Sequence, residues 1–331
     1  MSTVASPLSL AVTSGRLLAA GHDSHEIARS VRTGARVRLR RGVVSTDPTS
    51  TDAMMRAAAA AAGALLVVPG SVVSHVAAAK VLGMAAVGDD DVVCVTRTVR
   101  VGSRRRPTAG RVHLHMARLD QDEVIEQRGV LLTSPARTAA DLLRSLQPPE
   151  SLALLDAMLR VGMASRGDVA SVLARQHRWP GVHTAYRVLA AADGDAESPL
   201  ESRVRAAFAF HPTAEQPAVQ QVLKGASGRT YRVDLCWTDQ WTIVEVDGRV
   251  KYDDPRSGSA AAVLWEEKKR EDDLREAGWE VVRAIAADLR RPSDIRERVR
   301  RAVDRAARRH GSGRSGDDRH FGSAGATWLS W

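Results

Sequence analysis

The sequence predicts an α+β protein of several domains. Three observations carry that prediction. At 331 residues the chain exceeds what one ordinary core fills. Its hydrophobic pattern changes repeatedly between a helical period and strict alternation. The segment "AADGDAESPL" at 191–200 interrupts that pattern with small and acidic residues, as a domain boundary does.

In the N-terminal stretch "TSGRLLAAGHDSHEIARSVRTGARVRLRRGVV", a short apolar helix runs to Gly21. Asp23 and Glu26 then stand in capping-box spacing before Ile27, Ala28 and Val31, and Gly34 ends the second helix. In the strand that follows, Val37, Leu39 and Val43 are expected on one side and Arg36, Arg38 and Arg40 on the other. Helix, turn, helix and basic ribbon make a small winged helix, assigned to residues 1–46. The chain carries 48 Lys+Arg against 39 Asp+Glu, a formal net charge of +9. Arginine suits phosphate, so Arg29, Arg32, Arg36, Arg38 and Arg40 are candidate DNA-backbone contacts. The alternative is a solvated face of a packing module.

Residues 47–190 are expected to form an α+β middle domain. It should hold a helix over 52–65, another through "SVVSHVAAAKVLG", strands at "DVVCVTRTV" and "RVHLHMARL", and helices in "SPARTAADLLRSL" and "ESLALLDAMLRVG". Ser134 before Pro135 is a helix start, which makes Arg137 and Asp141 an i,i+4 ion pair. His75, His113 and His115 have no metal-ligand spacing matched by carboxylates or thiols and read as ordinary packed or exposed histidines, while Cys94 and Cys236, far apart in separate strands, read as buried thiols rather than a disulfide or a thiolate zinc site. No secretory segment or run of about 18 apolar residues is present, so a cytoplasmic protein with no membrane partner is expected.

The third unit is placed at 191–310, with 311–331, "GSGRSGDDRHFGSAGATWLSW", as a disordered tail. Within it, "RVDLCWTDQWTIVEVDGRVKY" sets three carboxylates into two strands. Pairing Asp234 with Ile243 places Val233, Leu235, Val244 and Val246 on one face and Asp234, Glu245 and Asp247 on the other. Three acids on one face repel unless a cation joins them, and a hard ion such as Mg²⁺ suits their oxygens. The alternative is an exposed face of solvated acids. A charged helix, "VLWEEKKREDDLREAG", and a returning strand, "WEVVRA", complete the unit.

The segments "ESPLES", "RVDL", "IVEVDG", "KY", "EKKRED" and "LREAGWEVVR" resemble the very-short-patch-repair-like endonucleases of the PD-(D/E)XK superfamily. The resemblance implies a restriction-endonuclease-like α/β/α domain with a mixed sheet and a metal-dependent DNA endonuclease using Mg²⁺ or Mn²⁺. It implies Asp234 and Glu245 as metal ligands and Glu201 as a third, although Glu201 is equally explained as a helix cap. Asp247 stands where the superfamily carries lysine, so Lys251, then Lys268, are the candidates for that lysine's role. Residues 10–45 are similar to the winged-helix module of AbiEi-type antitoxins of type IV toxin–antitoxin systems. This second resemblance implies DNA as partner and, as the competing reading, a regulator with a catalytically silent nuclease fold. Self-association and a toxin-like partner are left open.

Overall fold

The computed structural model describes residues 10–46, 52–84, 92–98, 112–247 and 260–311. It is a mixed α/β protein built on three sheets. The first comprises β1 (Ala11–Thr13), β2 (Arg38–Arg40) and β3 (Val43–Ser45), in the order β1-β3-β2. Helices α1 (Ser14–Ala19) and α2 (Ser24–Arg32) lie between β1 and β2. Asp23 caps α2 as expected: its carboxylate accepts from Glu26 N at 2.7 Å and Glu26 accepts from Asp23 N at 3.1 Å.

The ribbon departs from simple alternation. Arg38 pairs with Val44 and Arg40 with Val43, so β2 carries one extra residue between them. This bulge turns both Leu39 and Arg40 toward the next helix, α3 (Ala53–Val67), and leaves Val37 46% exposed. Arg40 is buried, and its guanidinium donates to Ala60 O at 3.1 Å. Gly63 of α3 lies beside it, where a Cβ would make ordinary contacts with Val43, Arg40 and Leu39 at 3.4–3.5 Å. The core ignores the boundary expected at 46/47. Leu10, Ala11 and Val43 share one apolar cluster with α3 and with Val95 and Leu132.

After α3 come β4 (Val72–Val73), α4 (His75–Val81), β5 (Val93–Arg97), β6 (Val112–Met116), β7 (Val124–Gln127) and β8 (Val130–Thr133). They form a five-stranded mixed sheet, β6-β5-β4-β8-β7, in which β5 and β6 run parallel. Helices α5 (Pro135–Ser145), α6 (Pro148–Arg160), α7 (Arg166–Arg175) and α8 (Val182–Ala191) pack their own cluster around Leu143, Leu155 and Leu173. The Arg137–Asp141 pair exists at 3.0 Å, but both side chains are buried. Glu123 also accepts from Arg137, and Arg144 donates to Asp141 at 2.9 Å, so what the sequence offers as a helical pair is a buried network.

The C-terminal unit consists of α9 (Pro199–Ala209), β9 (Ala218–Lys224), β10 (Thr230–Trp237), β11 (Thr242–Asp247), α10 (Ala260–Glu276), β12 (Glu280–Ile285) and α11 (Pro292–His310). Its sheet runs β12-β11-β10-β9, with β11 and β12 parallel and the remaining pairs antiparallel. Leu235, Val244 and Val246 pack with Phe208 of α9 and Ile295 and Val299 of α11. On the opposite face, Cys236, Ile243 and Val281 pack with Leu274 of α10. Three layers result, with the sheet in the middle. The unit is tied to the helices before it by Arg205–Asp156 at 2.6 Å and Arg203–Glu150 at 2.8 Å. The expected C-terminal tail lies outside the described residues, apart from Gly311.

Candidate acidic site

The β10–β11 hairpin differs from the expected register. Leu235 faces Val244, Cys236 faces Ile243 and Trp237 faces Thr242, two residues away from pairing Asp234 with Ile243. The reason is the turn: Thr238–Gln240 form a short 3-10 turn and Trp241 adopts φ +49, which keeps Trp241 out of the strand. A two-residue slip by itself keeps facings, and Asp234, Glu245 and Asp247 do line one cavity. One apolar assignment fails. Val233 packs with Leu223 and Cys236, while Leu235 packs on the other side. The register with β9 runs from Val233↔Gln221 to Leu235↔Val219, passing over Asp234 and Gln220, and Gln220 has φ +52. Both strands therefore change face at this point.

That irregularity frees Asp234 from simple ladder geometry and aims it across the hairpin. Its Oδ2 accepts from Val246 N at 2.7 Å and its Oδ1 from Gln220 Nε2 at 3.2 Å. The same Gln220 amide donates to Glu201 Oε2 at 2.9 Å. Glu201, buried near the start of α9, also accepts from Glu197 N at 2.9 Å, while Ser198 Oγ accepts from Glu201 N at 3.1 Å. Its carboxylate thus both secures the helix start and reaches the acidic site through one shared glutamine.

Glu245 is half-buried, and its Oε1 accepts from Arg270 Nη2 at 2.8 Å. Burial pushes its carboxyl up to about 7; Arg270 pulls it down, and Asp234 and Asp247 push it further up. Asp247 turns toward Arg283, whose Nη1 donates to it at 2.9 Å, and Arg283 also donates to Glu271 at 3.0 Å. These groups line a cavity of about 40 Å³ with Glu267, Leu274 and Val281. That is space for an ion or a few waters rather than for an organic substrate.

Asp234 and Glu245 are thus brought together, with Glu201 one glutamine away and Asp247 held by an arginine. Lys268 is exposed and does not line the cavity, and Lys251 lies outside the described residues. Arg270 of α10 also lines the cavity and faces the acids. The donor set fits Mg²⁺, which binds through one or two carboxylates and keeps several waters. It fits less well a cage of three acids, because no trio of acids among the described residues has its donor atoms within 4.8 Å of one another.

On the N-terminal unit, Arg29, Arg32 and Arg38 are exposed and Arg36 is half-exposed. Arg40 belongs to the core and leaves the set of candidate phosphate contacts. Among the described residues, no helix is long and apolar enough to cross a membrane.

No family model matches the chain. The uncharacterized proteins MT2308 and Rv2248 of Mycobacterium tuberculosis are each 35% identical to it over 208 residues, which is 62% of this chain and 72% of the relative. Among solved structures, the crystal structure of RV2827C protein from Mycobacterium tuberculosis aligns over 65% of this chain and 83% of its own, with 15% identity and a TM-score of 0.36. A likeness that low carries no argument.

Proposed function

The chain belongs to the family of the uncharacterized Mycobacterium tuberculosis proteins MT2308 and Rv2248, and we propose that it acts as a metal-dependent DNA endonuclease. The observation that carries this reading is the meeting of Asp234 and Glu245 beside Arg270 at one cavity, in a three-layer unit whose mixed sheet suits the endonuclease resemblance. Asp234 and Glu245 would hold Mg²⁺ or Mn²⁺, with Glu201 positioning Asp234 through Gln220. When bound, such an ion supplies a more acidic water and offsets charge on a phosphate. Arg270 is permanently charged and cannot move a proton, so its role is to steady the phosphate as negative charge builds. Arg29, Arg32, Arg36 and Arg38 would hold the duplex backbone. On this reading the activity would be exercised in the cytoplasm.

Relaxation and linearisation of supercoiled plasmid in Mg²⁺ test the proposal. Wild type should cut, and Asp234→Ala and Glu245→Gln should lose about 10²–10³ of the rate. Equal cutting by all three, or none by wild type across varied DNA substrates, sinks it.

One observation favours a second reading. Arg270 and Arg283 already neutralise Glu245 and Asp247, so the acids have partners without an ion. A regulator with a silent nuclease fold, of the AbiEi-like kind, would bind its own promoter equally well as Glu245→Ala and take up no Mg²⁺ by calorimetry.

A further inference from the structure

The middle sheet gathers a different set of donors, well apart in sequence. Cys94 on β5 and His113 on β6 are direct partners in a parallel ladder, and His115 follows two residues along β6. Alternation along a strand puts His113 and His115 on the same side. The donor atoms of Cys94, His113 and His115 all lie within 4.8 Å of one another. The rings are stacked: His115 lies 3.8 Å from His75 at 14° and 4.3 Å from His113 at 22° between ring planes. His115 Nε2 is buried with no hydrogen-bond partner. A buried polar nitrogen left in that state is costly unless something else satisfies it.

We infer that Cys94, His113 and His115 form a binding site for a zinc-class divalent ion. One thiolate and two imidazoles suit Zn²⁺ and are poor ligands for Mg²⁺ or Ca²⁺. Tetrahedral zinc with Zn–N of about 2.0–2.1 Å and Zn–S of about 2.3 Å sets its donors roughly 3.3–3.6 Å apart, so small rotations of side chains already within 4.8 Å complete the arrangement. Cys94 would bind as the thiolate, so binding would release its proton to solvent. His113 is exposed, which gives the ion a path in. The fourth position is left to water. Because β6 is the edge strand of the sheet, the ion would pin it to β5, a stapling role independent of the acidic site.

The test uses the full chain after chelator treatment, with folding checked by circular dichroism, titrated with Zn²⁺ by calorimetry and with Co²⁺ by absorption. Wild type should bind about one equivalent, show thiolate-to-cobalt charge-transfer absorption and melt at a higher temperature with Zn²⁺ present. Cys94→Ser and His115→Gln should weaken Zn²⁺ binding by about tenfold or more, and Cys94→Ser should abolish the absorption. The double variant Asp234→Asn, Glu245→Gln should leave both signals intact. Folded wild type that takes up no Zn²⁺, or binding unchanged by Cys94→Ser and His115→Gln, overturns the inference. Should either variant fail to fold, charge-transfer absorption in wild type decides alone: its presence supports the site and its absence removes it.

Discussion

Glu245 concentrates the chemistry of the acidic site in one side chain. Removal from water raises its carboxyl to about 7, more than the neighbouring Arg270 lowers it. The folded state therefore binds this proton more tightly than the unfolded state does. Stability from this group is fully present below the unfolded carboxyl value and is lost as pH rises through about 7. In chelator, the melting temperature of wild type relative to Glu245→Gln should fall between about pH 5 and about pH 8, and Mg²⁺ should remove most of that fall. A difference that stays flat with pH would show that Glu245 is less buried, or better paired, than the geometry indicates. The sequence names Asp234 and Glu245 because apolar residues alternate with them. Spacing leaves open whether Arg270 meets these acids or another partner, because which side of α10 meets β11 depends on helix packing.

Among the elements, the β2–β3 ribbon departs most from a pattern reading. Alternation assigns Arg36, Arg38 and Arg40 to one side, but a single bulge residue reverses the assignment beyond Arg38. Arg40 then sits against α3, where burial lowers its pKa and only one of its guanidinium nitrogens finds a protein acceptor. Replacing such a buried charge with an apolar side chain of similar length is often neutral or stabilising. Arg40→Met should leave DNA affinity unchanged and keep or raise the melting temperature. Arg38→Ala should weaken DNA binding and flatten its dependence on salt, as loss of a phosphate contact does. Equal loss of DNA affinity in the two variants would place Arg40 back on the binding surface.

The whole molecule is held by buried ion pairs as well as by apolar clusters. Asp156 of α6 and Arg205 of α9 are both buried and meet at 2.6 Å, and Ala206 of α9 belongs to the same cluster as Leu155 and Met158 of α6. Burial raises Asp156, while Arg205 and the Asp193 amide pull it back. Removing one partner from such a pair strands a charge, a loss of about 3–5 kcal/mol. Arg205→Ala should therefore lower unfolding stability by that order in denaturant titration, and it should do so with no change in the Zn²⁺ uptake inferred for β5 and β6. A loss under about 1 kcal/mol would mean that water reaches Asp156 when Arg205 is removed.

The sequence by itself determined what depends on neighbours a few residues apart. The capping box at Asp23 and Glu26, the start of α5 at Ser134 and Pro135, and the common facing of Glu245 and Asp247 along β11 all follow from local hydrogen bonding and period. Tertiary structure alone decided what depends on contacts between distant segments. It set the hairpin register through the geometry of the turn, turned Arg40 inward through a bulge, linked Glu201 to Asp234 through Gln220, and brought Cys94 beside His113 and His115. A strand lists its own side chains in order, but the strand that will lie beside it is chosen by packing over the whole core, and the donors of a site across two strands come together only then.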